Sequence, residues 1–466
     1  MDPARRDDAS FRDPAGQVYW IKDRVLRSVS EIGAAHYEFV RDCGLLSDLI
    51  DSRKVIATNE VSPDLLGPDA GNVSYVLEHP VLPFISYPYE WSFTALQTGA
   101  LLQLELLKEA LERDATMSDA SAYNVQFAGP HPVFIDPLSF QRYQEGGYWT
   151  AHQQFCEQFL NPLLLTALKG IAFNGWYRGN PEGIRSAHLN QLLSWRNRLN
   201  WRVLTHVALP VGLQMRAQKA GSGQIDRIKN RQLPKTSFLG MIDGLGKWIS
   251  GLKAARGAES LWSGYEADNS YDSAAAAAKA EFTRRFAASV QPDKLLDIGC
   301  NTGKYAELAL QSGAHHAIGI DSDPIVVDAA FRRAQKMDLR FLPLVMNAAD
   351  PSPGQGWLGR ERKNLDSRIK AQALLAYAFV HHLAIGRNIP LAEVVAWLIG
   401  LAPQGVVEFV EKEDPMIVRM LQLREDIFPE YGRDAFLTAV NNHAEIVDTR
   451  EIIEGRRILV WYRRPD

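Results

Sequence analysis

Cysteine is scarce. The 466-residue chain holds three, Cys43, Cys156 and Cys300, far apart and odd in number. They have neither disulfide logic nor zinc-ligand spacing, which fits a reducing compartment. Charge of one sign is also lacking: 51 basic against 55 acidic residues leave a net charge of -4, too slight a bias to point to a nucleic-acid or other polyanionic partner. No apolar window approaches the ~20 residues needed to cross a bilayer. The segment Met1-Asp2-Pro3-Ala4-Arg5-Arg6 has no apolar signal core behind its charges. A cytoplasmic protein without a membrane segment is expected. Internal repeats are missing as well.

What is present is length for two or three domains, in three textures. Residues 1–168 mix short strand-like runs with one clear helix. Residues 169–257 are helical and basic, with Arg216, Lys219, Arg227, Lys229, Arg231, Lys235, Lys247 and Lys253 around a loop at Ala220-Gly221-Ser222-Gly223. Such a run reads as a solvated helix face or linker, a helical connector between domains. From 258 to 466 strand-like and helix-like segments alternate, the pattern of a doubly wound α/β sheet. The Ala274 to Ala278 run sits in a helix-favouring context and reads as helix.

The central signal lies in that last zone. An apolar strand, Lys294 to Ile298, runs into Gly299-Cys300-Asn301-Thr302-Gly303, and a helix follows. Glycine is required where the backbone turns sharply beside a ligand. About twenty residues on, Ala317-Ile318-Gly319-Ile320-Asp321 is the next buried strand, and an acid at its end can accept both hydroxyls of a ribose. A dinucleotide fingerprint would read G-x-G-x-x-G. Here Asp297 precedes the first glycine, where its carboxylate would repel a pyrophosphate but suit an ammonium and a sulfonium. The set resembles the class I methyltransferase pattern, which implies S-adenosylmethionine as cofactor and a Rossmann-like sheet. The expected cofactor-binding residues are Asp297, Gly299, Cys300, Asn301 and Gly303 at the methionine part, Asp321 at the ribose, and Asn347 with Ala348 after a third strand at the adenine. Tyr265 and Tyr271, ahead of the first strand, are expected as a lid.

A fourth strand is expected within Ala371 to Val380, ending at His381-His382, and a fifth from Gly405 to Val410, ending near Glu411. His381, His382, Glu408 and Glu411 are the candidates for taking a proton from an acceptor, since these types titrate or accept near neutrality. The competing reading is that each is a structural, hydrogen-bonded core or surface residue.

The first zone carries a different chemistry. Ser92 is a good helix N-cap, followed by Phe93, Leu96, Ala100, Leu104, Leu107 and Leu111 at helical spacing. Then come Asp119, Asn124 five residues later, a hairpin through Gly129-Pro130, and Asp136. An acid, an Asn and a second acid across a hairpin resemble the kinase catalytic loop and metal-binding segment. There Asn124 and Asp136 would hold magnesium on the phosphates of ATP and Asp119 would orient the acceptor. Phe84 to Glu90 would be the hinge. This sequence departs from that pattern in several places. Met117-Ser118 stand before Asp119, Pro137-Leu138 follow Asp136, and Asp13-Pro14-Ala15-Gly16 offers a single glycine. Only Lys22, Arg24 and Arg27 lie near the place of a strand lysine. An α+β kinase-like domain serving as scaffold is therefore as consistent as one using Mg-ATP.

As a whole the chain resembles a bacterial family of large methyltransferases that includes the nodulation protein NoeA. The resemblance is carried by Phe11 to Gly16, Tyr87 to Phe93, Asp119 to Asn124, Val133 to Phe140, Asp297 to Gly303, Asn347 to Pro353 with Gly356-Trp357, His381-His382-Leu383 and Arg424 to Pro429. It implies a cytoplasmic methyltransferase acting on a small-molecule or glycan-type acceptor. Asn347 departs from the family, which tends to have Asp there. Two rivals stand beside that reading: a bifunctional kinase and methyltransferase, and a non-catalytic sensor of S-adenosylmethionine.

Overall fold

The computed structural model describes residues 3–209, 233–255, 273–422 and 425–465, and they form a mixed α/β protein. Tyr265, Tyr271, Arg424 and the central basic residues Arg216 to Arg231 lie outside the described residues.

The chain begins with a five-stranded antiparallel sheet. Its strands are β1 (Arg5–Arg6), β2 (Val18–Ile21), β3 (Arg24–Ser30), β4 (Asn59–Val61) and β5 (Val73–His79), in the order β1-β2-β3-β5-β4. β3 feeds directly into α1 (Glu31–Asp42), and α2 (Leu45–Asp51) follows. These two helices escape the sequence reading, which sees one clear helix in this zone. That one is α3 (Phe93–Glu112), where Ser92 Oγ accepts from Ala95 N as an N-cap should (3.2 Å). After α3, β6 (Ala115–Met117) pairs with β9 (Phe140–Arg142), and between them β7 (Val125–Ala128) and β8 (His131–Phe134) form the expected hairpin. Residues 152–209 form a series of short helices, and the helix Lys235–Ser250, with Phe238, Ile242 and Leu245 buried, packs along α3.

The second sheet has seven strands. They are β10 (Lys294–Ile298), β11 (His316–Asp321), β12 (Phe341–Val345), β13 (Ala373–Ala376), β14 (Gln404–Val410), β15 (Glu445–Ile453) and β16 (Arg457–Arg463). Their order is β12-β11-β10-β13-β14-β16-β15. The first five are parallel and β16 runs antiparallel to both neighbours. Strands covered on both faces read as continuous apolar runs, and β12 and β13 are buried at every position. The order reverses beside β10, leaving a crevice at the carboxyl ends of β10 and β13 where such sheets bind ligands. The fourth strand is shorter than its apolar run predicts. Its ladder covers only Ala373 to Ala376, and the chain then turns at Ala378 (φ 46°) into the short helix Val380–Ala384. An apolar run cannot by itself distinguish a buried strand from a buried helix.

The two halves share one core. The Phe127 ring on β7 meets Phe331 edge-on at 5.6 Å, and Thr94 N donates to Asp328 Oδ1 (2.7 Å). At their junction Glu90, in the segment predicted as a hinge, is buried against Arg368. Two guanidinium N–H groups donate to its two oxygens at 2.9 and 2.5 Å, and Ser352 Oγ adds a third bond at 2.6 Å. Removing one partner of a buried pair strands the other charge, at a cost of about 3–5 kcal/mol. Arg368→Ala should therefore lower the stability of the chain by about that amount in a denaturant titration. Because the core is continuous, fluorescence and circular dichroism should report one transition. Two well-separated transitions would mean the halves fold independently.

Candidate active site

The loop after β10 is built from residues with left-handed backbone. Gly299, Asn301 and Gly303 have φ of 74°, 47° and 80°. A Cβ on Gly303 would lie 2.4 Å from Phe341 Cε1 and one on Gly299 3.1 Å from Phe379 Cδ2, so both positions need glycine for space as well as for conformation. The loop is tied to the next strand. Gly299 N and Cys300 N donate to Ile320 O (2.8 and 3.1 Å), and Asn301 N donates to Asp321 Oδ2 (3.0 Å). Asp323 N donates to the other oxygen, Oδ1, of Asp321 (3.1 Å). Each carboxylate oxygen thus accepts one backbone N–H and keeps further lone-pair capacity. Burial raises the Asp321 carboxyl above its ordinary range.

This loop forms one wall of a cavity of about 680 Å³ at the strand ends. Asp297, Gly299, Cys300, Asn301, Asp321, Asn347, Ala348 and His382 all line it. Gly303 does not; it caps the helix Lys304–Leu310 from behind, against Phe341. Asp297 is 2% exposed and its Oδ2 has no hydrogen-bond partner among the described residues. Burial first, and the neighbouring Asp321 charge second, push its carboxyl up to about 7. A buried acceptor with nothing to bind costs free energy, and a cationic ligand group would remove that cost. Asn347 Oδ1 accepts from Ala349 N (3.0 Å), which holds the amide at the wall.

The four acid–base candidates separate. His382 is at the wall, and burial holds its imidazole at about 4, hence neutral. His381 is turned into the core, fully buried, with neither ring nitrogen hydrogen-bonded among the described residues. Both lie on the helix Val380–Ala384 and not at a strand end, so adjacent residues point in different directions. Glu408 is corrected from acid–base candidate to wall support. It is wholly buried on β14, where Oε2 accepts from Lys279 Nζ (2.6 Å) and Ala378 N (2.9 Å), with Arg457 at 3.5 Å from Oε1. Glu411 pairs with Arg433 at 2.7 Å, away from the cavity.

Lys279, in the helix ahead of the first strand, has no role in the sequence reading. It lines the cavity from the helix Ser273–Val290, with Nζ 5.3 and 5.1 Å from the rings of Tyr305 and Tyr377. Both tyrosines also line it. The only signal was a lone lysine in an alanine-rich helix preceding the first strand.

A second cluster forms in the N-terminal half. The fold brings Asp119, Asn124 and Asp136 together: Asn124 Nδ2 donates to Asp119 Oδ2 (3.1 Å) and Asp136 Oδ2 (3.3 Å). Arg27, on β3, places its guanidinium 2.7 Å from Asp136 Oδ1 and 2.5 Å from Asp13. Ser139 Oγ donates to Asp136 Oδ2. Burial and the Asp136 charge raise the Asp119 carboxyl. This donor set fits magnesium poorly. The charge of Asp136 is already matched by a guanidinium, and Asn124 presents its N–H₂ to both carboxylates, whereas magnesium takes oxygen ligands.

No family model matches the chain. The nodulation protein NoeA of Rhizobium meliloti (strain 1021) is 44% identical over 457 residues, covering 98% of this chain and 96% of its own. Among solved structures, the N-methyltransferase NodS from Bradyrhizobium japonicum WM9 is 13% identical over 42% of this chain and 99% of its own, with a TM-score of 0.31. The bifunctional kinase-methyltransferase WbdD is 13% identical over 42% of this chain and 41% of its own, with a TM-score of 0.30. At such scores nothing passes from these two structures to this chain. The match to NoeA differs in kind, because it is 44% identical over a stretch that spans nearly the whole of both chains. The chain belongs to the NoeA family.

Proposed function

We propose that this protein is an S-adenosylmethionine-dependent methyltransferase acting on a small-molecule or glycan-type acceptor, with a kinase-like N-terminal half that serves as scaffold. The observation that carries this reading is the buried Asp297 carboxylate, its Oδ2 without a hydrogen-bond partner among the described residues, beside Asp321 at the crevice of the parallel sheet. That pair repels phosphate and suits a ligand with an ammonium at one end and a ribose in the middle. The strand order with β16 reversed supports the class I arrangement implied by the sequence.

When bound, the cofactor would supply an electrophilic methyl group. Asp297 would accept the ammonium hydrogens, Asp321 the ribose hydroxyls, and Asn347 with Ala348 would meet the adenine. The backbone ties on Asp321 hold its carboxylate in place before the ligand arrives, so little ordering cost falls on binding. Neutral His382 can accept a proton from an acceptor hydroxyl or amine. Lys279, held by Glu408, adds a cation and two aromatic rings to the cavity wall. Alignment of nucleophile and methyl would supply most of the rate.

The scaffold reading rests on what the N-terminal half touches. The segment after Asn347 that leads to β13 is pinned by Arg178 to Asp350 (3.0 Å), Ser352 to Glu90, Lys363 to Asp7 (2.7 Å) and Arg368 to Glu90. That half therefore shapes the adenine side of the cavity. The order of β3, α1, α3 and the β7–β8 hairpin, with Asp119, Asn124 and Asp136 converging, supports a kinase-like ancestry. Arg27 against Asp136 speaks against use of Mg-ATP.

Three measurements test this. Asp321→Ala should weaken S-adenosylmethionine binding more than tenfold, on the order of two charge-assisted hydrogen bonds; unchanged affinity would remove the ribose assignment. Asp297 must be ionised to hold an ammonium, so cofactor affinity should fall as pH drops below about 7, by up to about tenfold per pH unit. Above about 8 it should fall again as the ligand's own amine loses its proton. Asp297→Asn should abolish the acid limb, and a limb that persists would assign it elsewhere. Calorimetric titration of Mg-ATP should give no binding heat. Binding that Asp136→Ala abolishes would instead favour the bifunctional kinase and methyltransferase.

A further inference from the structure

We propose that His152, Cys156 and His206 form a binding site for one zinc-class divalent ion, in the N-terminal half and separate from the cofactor cavity. His152 and Cys156 are four residues apart where the helix His152–Phe155 passes into the π-helical turn Cys156–Leu160, so both side chains share one face. His206 comes from another π-helical turn, Leu204–Ala208, and meets them across the helical layer. Such turns are rare and concentrate at functional sites; here each of the two supplies a donor atom.

Two of the three donor spacings are those of a tetrahedral ion. Bond lengths of about 2.0–2.1 Å to imidazole nitrogen and about 2.3 Å to sulfur put neighbouring donors about 3.3 Å apart for N···N and about 3.6 Å for N···S. His152 Nε2 lies 3.1 Å from His206 Nδ1, and Cys156 Sγ lies 3.6 Å from His152 Nε2. All three donor atoms fall within 4.8 Å of one another. An ion could therefore be seated by closing the Cys156–His206 side of the triangle while the other two spacings stay almost as they are.

The surroundings suit the same ion. Cys156 and His206 are 1% and 5% exposed. The Trp149 ring packs on His152 and the Trp248 ring on His206, which limits the rotation of both imidazoles. Both imidazoles can present a bare nitrogen to an ion once the proton of the His152–His206 hydrogen bond moves to the other nitrogen of its ring. Seating the ion would form the metal–sulfur bond as the thiol proton leaves to solvent, so uptake should release about one proton. Two imidazoles and a thiolate select zinc or its softer neighbours over magnesium or calcium, and three protein ligands leave the fourth position to water. The three cysteines show no zinc spacing in sequence because only one takes part; its partners are histidines, one of them fifty residues downstream.

The test uses the untagged full-length protein, stripped with a chelator and titrated with cobalt(II). About one equivalent should bind, with thiolate-to-cobalt charge-transfer absorption and the visible bands of a tetrahedral site, and zinc should displace it. Cys156→Ser should remove the charge-transfer band, and Cys43→Ser should leave it. His206→Gln, which keeps an amide able to hydrogen-bond His152, should weaken cobalt binding at least tenfold with the circular dichroism spectrum unchanged. Absence of the thiolate band in the wild type at saturating cobalt, or its persistence in Cys156→Ser, would overturn the site and leave a hydrogen-bonded core triad.

Discussion

Charge taken out of water must be matched, and this constraint organises the molecule from the cavity outward. Glu408 is wholly buried and holds Lys279 and Arg457, while Arg457 turns to Asp414 through two bonds of 2.6 and 3.0 Å. Two cations and two anions alternate behind the cavity, tying the helix Ser273–Val290 to β14, β16 and the turn before the helix Pro415–Leu421. Replacing any one of them would leave its neighbour charged in a low-dielectric interior. Asp297, buried at the cavity wall with no hydrogen-bond partner on Oδ2 among the described residues, stands outside that network.

The same rule explains how the halves are joined. Glu90 and Arg368 are matched across the junction, with Tyr87 and Phe84 under the guanidinium at 4.2 and 5.0 Å. Around them the apolar core runs without interruption from α3 into the parallel sheet. The segment between β12 and β13 is thus held by groups from the first 180 residues. The Arg27–Asp136 pair is its counterpart inside the N-terminal half, where a guanidinium on β3 matches the acid that follows β8.

Much of the C-terminal site was legible in the chain. The apolar strands, the glycine turn and the two acids at strand ends are local signals whose spacing reflects one backbone path. Gly299 and Gly303 could be placed from sequence because each needs a backbone that other residues resist. The α3 helix and its Ser92 cap, and the hairpin through Gly129-Pro130, were legible for the same reason. The short fourth strand was not. Its apolar run continues into a helix, and only the four-residue ladder with β10 and β14 marks where the strand stops. Nor could the roles of His381, His382 and Glu408 be separated, since side chains one position apart differ in whether they face the cavity or the core.

By itself, then, the sequence determined the α3 helix, most strands of the parallel sheet, where glycine must stand, and that two acids lie at or next to the ends of neighbouring strands. These follow from local backbone preference and from the periodicity of burial. Tertiary structure alone decided that Lys279 reaches the cavity, that Glu408 supports it, that Arg27 neutralises Asp136, and that His206 meets His152 and Cys156. Each of those pairings joins residues 50 to more than 100 positions apart. Their energies depend on distance and on the exclusion of water, and neither exists until the chain has folded.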